Sequence, residues 1–407
     1  DWETLPYDNF SPHQDIVSDR LSALYHLPDL QQGILVTSIG SLMHKLPPKK
    51  YIRGNSLDLI VGQQLSIQTM RTQLVDAGYQ AVDSVFDHGE FAVRGSILDI
   101  YPMGSRFPYR IDLLDDEIET LRIFNPETQR SDQRIEQIRL LPGREYPLDA
   151  RGITAFRSNF REKFDVDLRQ CPLYQDVSDG ISSPGLEYYL ALFYERLDSL
   201  FNFLPANTTY CKIGDLAGAG QNFWQDIQRR YEDRQIDQYR PILPPVDIFL
   251  TIDTVLSDLK KFKQISFAST STAVSLQSLR LPELSSDIKL KTPFAAVEQF
   301  IEQNPEQRVL FCAESAGRRE TLLEVLKQIQ IKPEQFEHLQ NFVDSTSSCG
   351  IIVAPLDQGL WLEDKKLLLI TEAQLFGNRI AQRRRRNKKQ SDTDFIVKSL
   401  TELSIGD

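Results

Sequence analysis

The segment Phe91–Phe124, FAVRGSILDIYPMGSRFPYRIDLLDDEIETLRIF, constrains the fold more than any other part of the chain. Apolar and polar residues alternate through it, and turn signals stand at Gly95, Pro102–Gly104 and Asp115–Asp116. That pattern predicts three short strands rather than a helix. In the third run Tyr109, Ile111 and Leu113 alternate with Arg110, Asp112 and Leu114, so the odd-numbered set faces a core. Arg110 then shares the outer face with an apolar Leu114. Arg94 sits in the first run, with Val93 before it and Ile97 soon after. Arginine beside an exposed aliphatic residue on a rigid sheet is the composition of a protein–protein contact. A solvated strand face with one stray leucine accounts for the same pattern. Between Tyr51 and Glu162, however, there is no lysine and arginine carries all the formal positive charge. Its planar fork suits paired, partly desolvated contacts, which favours a binding surface.

The 407 residues allow roughly two to four domains. A net charge of −11 argues against a protein that coats nucleic acid. Four cysteines, Cys171, Cys211, Cys312 and Cys349, lie too far apart for a zinc site or a disulfide framework, and read as reduced thiols of a cytosolic protein. The apolar runs fall well short of the ~20 residues a membrane helix needs. No signal peptide is visible, and a chain opening at Asp1-Trp2-Glu3 is expected to be a piece of something longer.

Ser11-Pro12-His13-Gln14 reads as a capped helix start, with Val17, Leu21 and Leu24 as the buried stripe of a helix reaching about Tyr25. Ile34–Thr37 is expected as a short buried strand, followed by a helix that Ser38 caps and that ends before Pro47-Pro48. The segment from Ser56 to Leu141 holds a helix over Ser66–Ala77, stopped by Gly78, and then the strands above. Its fourteen acidic residues against eight arginines predict a partner of basic character. Beyond Pro142 the pattern returns to α/β. Helices are expected at Gly152–Phe164, Leu186–Phe203 and Asp215–Arg234, with a strand at Thr208–Ile213. The Ser/Thr-rich stretch Ser266–Ser278 marks a boundary. After it, a helix starting at Thr292-Pro293, strands at Val309–Cys312, Gly350–Ala354 and Lys366–Thr371, and a helix at Glu320–Gln328 predict a small parallel α/β domain. The tail carries Arg379, Arg383, Arg384, Arg385, Arg386, Lys388 and Lys389, then a short helix at Asp394–Leu403.

Catalytic chemistry is not legible. The phosphate-loop pattern Gly-x-x-x-x-Gly-Lys-Ser/Thr does not occur, and no glycine is followed by lysine. Gly214, Gly218 and Gly220 lack the dinucleotide spacing, and the start of a helix explains them. Ile370-Thr371-Glu372-Ala373-Gln374 follows an apolar strand as the acidic metal motif of helicases does, but Thr371 stands where the aspartate would be. The five histidines are scattered, without metal spacing. The basic tail reads either as a nucleic-acid contact or as a solvated linker.

Several of these stretches resemble a known family. Asp1-Trp2-Glu3-Thr4-Leu5-Pro6-Tyr7-Asp8, Ser11-Pro12-His13-Gln14-Asp15 and Arg20-Leu21 are similar to the N-terminal region of bacterial transcription-repair coupling factors. The block His88–Gly95, with Asp99–Pro102, Pro108–Asp112 and Asp115–Ile118, resembles both that family and the excision-repair protein UvrB. Glu314-Ser315 and Gly317–Glu320 resemble the coupling factors alone. The resemblance covers nearly the whole chain. It implies a degenerate helicase-like α/β fold (RecA-like, UvrB-like) without a P-loop, a small inserted α+β domain, and a separate C-terminal α/β domain. The expected boundaries are 1–55 and 142–278 for the UvrB-like domain, 56–141 for the insert, 290–378 for the last domain, and 379–407 for a basic linker with a short helix.

The resemblance further implies a cytoplasmic, non-catalytic adaptor without cofactors, whose insert binds UvrA through Arg94 and Arg110, with Asp112 and Leu114 beside them. Many members carry an aromatic residue where Leu114 stands. RNA polymerase and DNA would be contacted by domains outside this chain, in a protein that is an ATP-dependent DNA translocase as a whole. In that whole protein a C-terminal domain would mask the UvrA-binding face. The alternative is a nucleic-acid-binding accessory module acting through Arg383–Arg386, Lys388 and Lys389.

Overall fold

The computed structural model describes residues 2–267, 278–282, 284 and 294–376. They fall into two compact units, Asp1–Ser269 and Thr270–Asp407, which divide inside the Ser/Thr-rich stretch. Among the described residues no helix is long and apolar enough to cross a membrane.

The first unit opens with α1 (Gln14–His26), whose Val17, Leu21 and Leu24 are buried as their spacing predicts. The cap differs from expectation. His13 occupies the N-cap and accepts from the Asp15 amide. Ser11 is engaged elsewhere, donating to the buried Glu187 and accepting from the Gly185 amide. A buried carboxylate needs a donor more than a solvated helix end does.

Ile34–Thr37, expected as a buried strand, is extended but pairs with no strand among the described residues, and Ile34 and Val36 are 92% and 89% exposed. Its β-branched composition favours extension, yet it has neither a ladder partner nor a covering layer. Ser38 does cap the next helix, α2 (Ile39–Met43), and α3 (Lys49–Gly54) follows the proline pair.

The chain continues through β1 (Leu57–Ile60), α4 (Ile67–Asp76), β2 (Gln80–Ala81), β3 (Glu90–Arg94), β4 (Ile97–Ile100), β5 (Tyr109–Leu114), β6 (Glu117–Phe124), β7 (Ser131–Ile135) and β8 (Gln137–Leu140). Strands β2 to β7 form one six-stranded sheet in sequence order, antiparallel except for the parallel β2–β3 pair. The three strands expected within Phe91–Phe124 are four, because the Asp115–Asp116 turn folds β6 back onto β5. At the foot of the sheet β1 and β8 pair antiparallel, with Leu57 opposite Leu140.

One face of the sheet is dry. Leu98, Ile100, Ile111, Leu113 and Leu121 share a core with Met70 and Leu74 of α4 and with Leu21 and Leu24 of α1. At roughly 1.5–3 kcal/mol per fully buried aliphatic side chain, this shared core dominates the segment's stability.

The rest of the unit is α5 (Ala150–Lys163), α6 (Pro172–Ser178), α7 (Leu200–Phe203), β9 (Thr209–Ile213), α8 (Leu216–Arg234), α9 (Pro245–Ile248), α10 (Ile252–Leu259) and β10 (Lys263–Phe267). The single helix expected over Leu186–Phe203 is broken. A 3-10 stretch ends at Leu192, and Asp198 is drawn into a backbone bridge with Leu46 before α7 begins. Strands β9 and β10 pair in parallel, and Tyr210 packs with Met43, Val255 and Leu259. Asp215 caps α8 by accepting from the Gly218 amide, so the glycine run serves a helix start.

The second unit contains β11 (Ser278–Leu279), α11 (Ala295–Gln303), β12 (Arg308–Ala313), α12 (Ala316–Gln328), β13 (Glu334–Gln335), α13 (Leu339–Asp344), β14 (Cys349–Val353), β15 (Leu360–Leu362), β16 (Leu367–Thr371) and α14 (Glu372–Phe376). The sheet runs β11-β15-β16-β12-β14-β13. Its β16, β12 and β14 are parallel as expected, while a parallel β13 on one side and the antiparallel β15 and β11 on the other are strands that the sequence pattern does not predict. Thr371 is fully buried, and Glu372 pairs with Arg318 and accepts from the Glu314 amide. The helix start at Thr292-Pro293, the basic tail and the Asp394–Leu403 helix lie outside the described residues.

Candidate partner-binding face

The register of the six-stranded sheet decides which side chains share its outer face. Ala92, Asp99, Arg110, Arg122 and Arg134 stand opposite one another on five successive strands. The adjacent row holds Arg94, Ile97, Asp112 and Thr120. Two tight turns set this register. Gly95 adopts φ 63° between β3 and β4, and Asp115 adopts φ 55° between β5 and β6. Both are left-handed positions that glycine and aspartate accept most readily.

Asp99 is the centre of the face. Its side chain is completely buried, and three guanidinium N–H groups donate to its carboxyl oxygens. Arg110 donates from Nε to Oδ1 at 2.7 Å and from Nη2 to Oδ2 at 2.8 Å, a two-point fork. Arg94 donates from Nη2 to Oδ2. Charge-assisted bonds of this kind offset the cost of burying a carboxylate.

The two arginines differ in what remains free. Arg110 is 18% exposed, spends Nη1 on the Gln129 carbonyl and Ser131 Oγ, and lies over the Phe124 ring. The hydrogen bonds to Asp99 raise its pKa further, so it is a fixed cation. Arg94 is 48% exposed and donates only to Asp99 among the described residues. Leu114, at the end of β5, is 63% exposed. Asp112 accepts from Thr120 and faces Arg122 at 3.7 Å.

The structure thus brings Arg94, Arg110, Asp112 and Leu114 onto one sheet face, as the alternation predicts. The six basic residues Arg383–Arg386, Lys388 and Lys389 lie outside the described residues. Sequence reasoning missed Asp99, which organises the face, and also Arg122 and Arg134. No local signal places Arg122 there: a plain hairpin turning at Asp115–Asp116 sets Leu121 opposite Arg110, and the irregularity between Asp112 and Leu113 shifts the register by one so that Arg122 takes that place. The basic partner predicted from the segment's net charge does not suit this face, where the local excess is arginine. Chemically, the face offers preorganised guanidinium donors next to an apolar contact, and it holds no nucleophile or acid–base pair.

Two family models match the chain. One, described as the UvrB interaction domain, covers residues 57–146 and therefore contains this face. The other, described as the MFD D3 domain, covers residues 300–375 in the second unit. Among curated proteins, the transcription-repair-coupling factor of Haemophilus influenzae is 42% identical and that of Escherichia coli 41% identical, each over 100% of this chain and 36% of its own length. The Bacillus subtilis counterpart is 24% identical over 97% of the chain. The chain therefore spans about a third of the length of the relatives it matches, at 36%. With a UvrB interaction domain followed by an MFD D3 domain, and similarity along its whole length, the chain belongs to the transcription-repair-coupling factor family.

Proposed function

We propose that this chain is a non-catalytic adaptor of transcription-coupled nucleotide excision repair, which binds UvrA through the outer face of β3, β4 and β5 and so recruits repair enzymes to stalled RNA polymerase in the bacterial cytoplasm. The observation that carries the reading is the half-exposed Arg94, anchored by the buried Asp99 beside the exposed Leu114, within the UvrB interaction domain. A rigid cation next to an apolar anchor is what interface hot spots are made of. Arg110 and Asp112 complete the face. The remaining α/β parts serve as scaffold, helicase-like in descent and without a phosphate loop. Polymerase and DNA are contacted by other parts of the longer protein, one of which covers the UvrA-binding face until it is needed.

Calorimetric titration of the chain against purified UvrA tests this. Wild type binds, and Arg94→Ala loses about 2 kcal/mol, some thirtyfold in affinity, while the fold is kept. Binding of folded Arg94→Ala at wild-type affinity would falsify the site. The second reading, nucleic-acid binding through the tail, rests on the charge concentrated at Arg383–Arg386. It requires DNA affinity that falls steeply as salt rises and disappears when the tail arginines are replaced.

A further inference from the structure

The docking face described above ends at Arg110, but the sheet's basic row does not. Arg110 on β5, Arg122 on β6 and Arg134 on β7 stand directly opposite one another. Successive strands are separated by roughly 5 Å, so three guanidinium groups span about 10 Å in a line. Like charges in directly opposed positions destabilise a sheet. The buried Asp99 accounts for Arg110, but no buried carboxylate pairs with Arg122 or Arg134 in the same way among the described residues.

Internal compensation fades along the row. Arg110 spends its donors on Asp99, the Gln129 carbonyl and Ser131 Oγ. The Nε of Arg122 lies 3.7 Å from Asp112 Oδ2, beyond hydrogen-bond reach, and has no hydrogen-bond partner among the described residues. Arg134 is exposed on the edge strand β7, and its side chain makes no ion pair or hydrogen bond among the described residues.

We infer that the docking face extends along Arg122 and Arg134 to the β7 edge, and that it fits a protein surface carrying carboxylates at matching spacing. The inference rests on the proposed UvrA-binding role and adds two contact residues and the partner's chemistry. A protein surface is favoured over phosphate for two reasons. Asp112 stands on the same face beside Arg122, so the face is not uniformly basic as a phosphate-binding strip would be. The chain as a whole carries −11. The exposed Leu114 at the end of β5, on the same face, also suits a protein rather than a nucleic-acid backbone.

Titrating the 407-residue chain and its Arg134→Glu, Arg122→Gln and Arg94→Ala variants against UvrA, at low and at physiological salt, separates the possibilities. Arg134→Glu touches no internal partner, so its fold is retained. The expected loss is about tenfold at low salt, smaller at physiological salt, with Arg122→Gln weakened in the same direction. If Arg94→Ala weakens binding while Arg134→Glu and Arg122→Gln bind as wild type does, the extension is wrong and the adaptor reading stands. If Arg94→Ala has no effect, the adaptor site itself is wrong. A parallel titration with duplex DNA covers the other anion. Duplex binding by wild type that Arg134→Glu abolishes would overturn the assignment to a protein partner.

Discussion

Asp99 and Arg110 form a two-point fork between neighbouring strands, Nε to Oδ1 at 2.7 Å and Nη2 to Oδ2 at 2.8 Å, with the carboxylate entirely out of solvent. Such a pair fixes the guanidinium plane, and the same carboxylate then has one further lone pair aimed at Arg94. The exposed arginine is held by a residue that no partner can touch.

Replacing Asp99 therefore acts at two levels. Asp99→Ala strands a buried cation and should cost about 3 kcal/mol or more in unfolding free energy, measured by urea denaturation. Asp99→Asn keeps the shape and weakens UvrA binding only through Arg94. In a double-mutant cycle it should have little effect when Arg94 is already alanine. Fully additive losses would show that Asp99 acts on the fold alone.

Arg94 and Arg110 should separate by phenotype. Arg110, largely buried and spending its donors internally, supports the sheet, so Arg110→Ala should lower the thermal midpoint by several degrees. Arg94→Ala should leave the midpoint nearly unchanged and reduce affinity. Equal midpoints for the two variants would contradict this division of labour.

His88 supplies a pH dependence. Its Nδ1 faces Asp15 Oδ1 at 2.7 Å and its Nε2 faces the Ser105 carbonyl at 2.8 Å, both acceptors, with the Tyr101 ring alongside and Asp19 nearby. Neutral imidazole has one N–H and cannot satisfy both, whereas imidazolium can. Burial alone would lower the pKa, but the hydrogen bonds to Asp15 and Ser105 outweigh it and raise the pKa above the usual 6.5. The stabilisation is then complete below 6.5 and is lost as pH rises through the folded value. His88→Gln should flatten the slope of urea midpoint against pH above 6.5; an unaltered slope would remove His88 from the account.

Glu187 works in the same direction for the opposite reason. Burial pushes its carboxyl up to about 7 from 4.5, even though Ser11 donates to it. The folded state holds the proton more tightly than the unfolded chain does, so stability falls between 4.5 and about 7 and stays low above that. Glu187→Gln, which removes the charge and retains an acceptor for Ser11, should stabilise the protein at pH 8 by up to about 3 kcal/mol and change little at pH 4. Destabilisation at pH 8 would mean that the ionised carboxylate is well solvated.

Legibility from sequence followed the range of the interactions. The inward set Ile111 and Leu113 and the outward pair Arg110 and Leu114 follow from a period of two and need only the strand itself. The helix stripe Val17, Leu21 and Leu24 is equally local. Ser11 was misread because its partner, Glu187, lies 176 residues away and no local rule anticipates it. Ile34–Thr37 has the composition of a strand, but a strand exists only with a neighbour. The long helix drawn through Leu186–Phe203 is instead a 3-10 stretch that kinks at Tyr189 and ends at Leu192, and the bridge from Asp198 to Leu46 holds the chain extended before α7. Asp99 sits in a run that looks like half-buried strand, and its importance lies wholly in two arginines brought to it by register.

The pairing of Leu57 with Leu140 brings the two ends of an 84-residue span to within one strand spacing, so the backbone of that span can be lifted out and replaced without rerouting the scaffold. The side chains do not allow the same freedom. Leu98, Ile111 and Leu121 belong to the same buried core as Leu21 and Leu24 of a helix outside the span. A graft of the span between family members therefore inherits a mismatched seam unless the apolar stripe of α1 travels with it. The strand-rich module is tied in this way to the apolar stripe of a helix outside its own span.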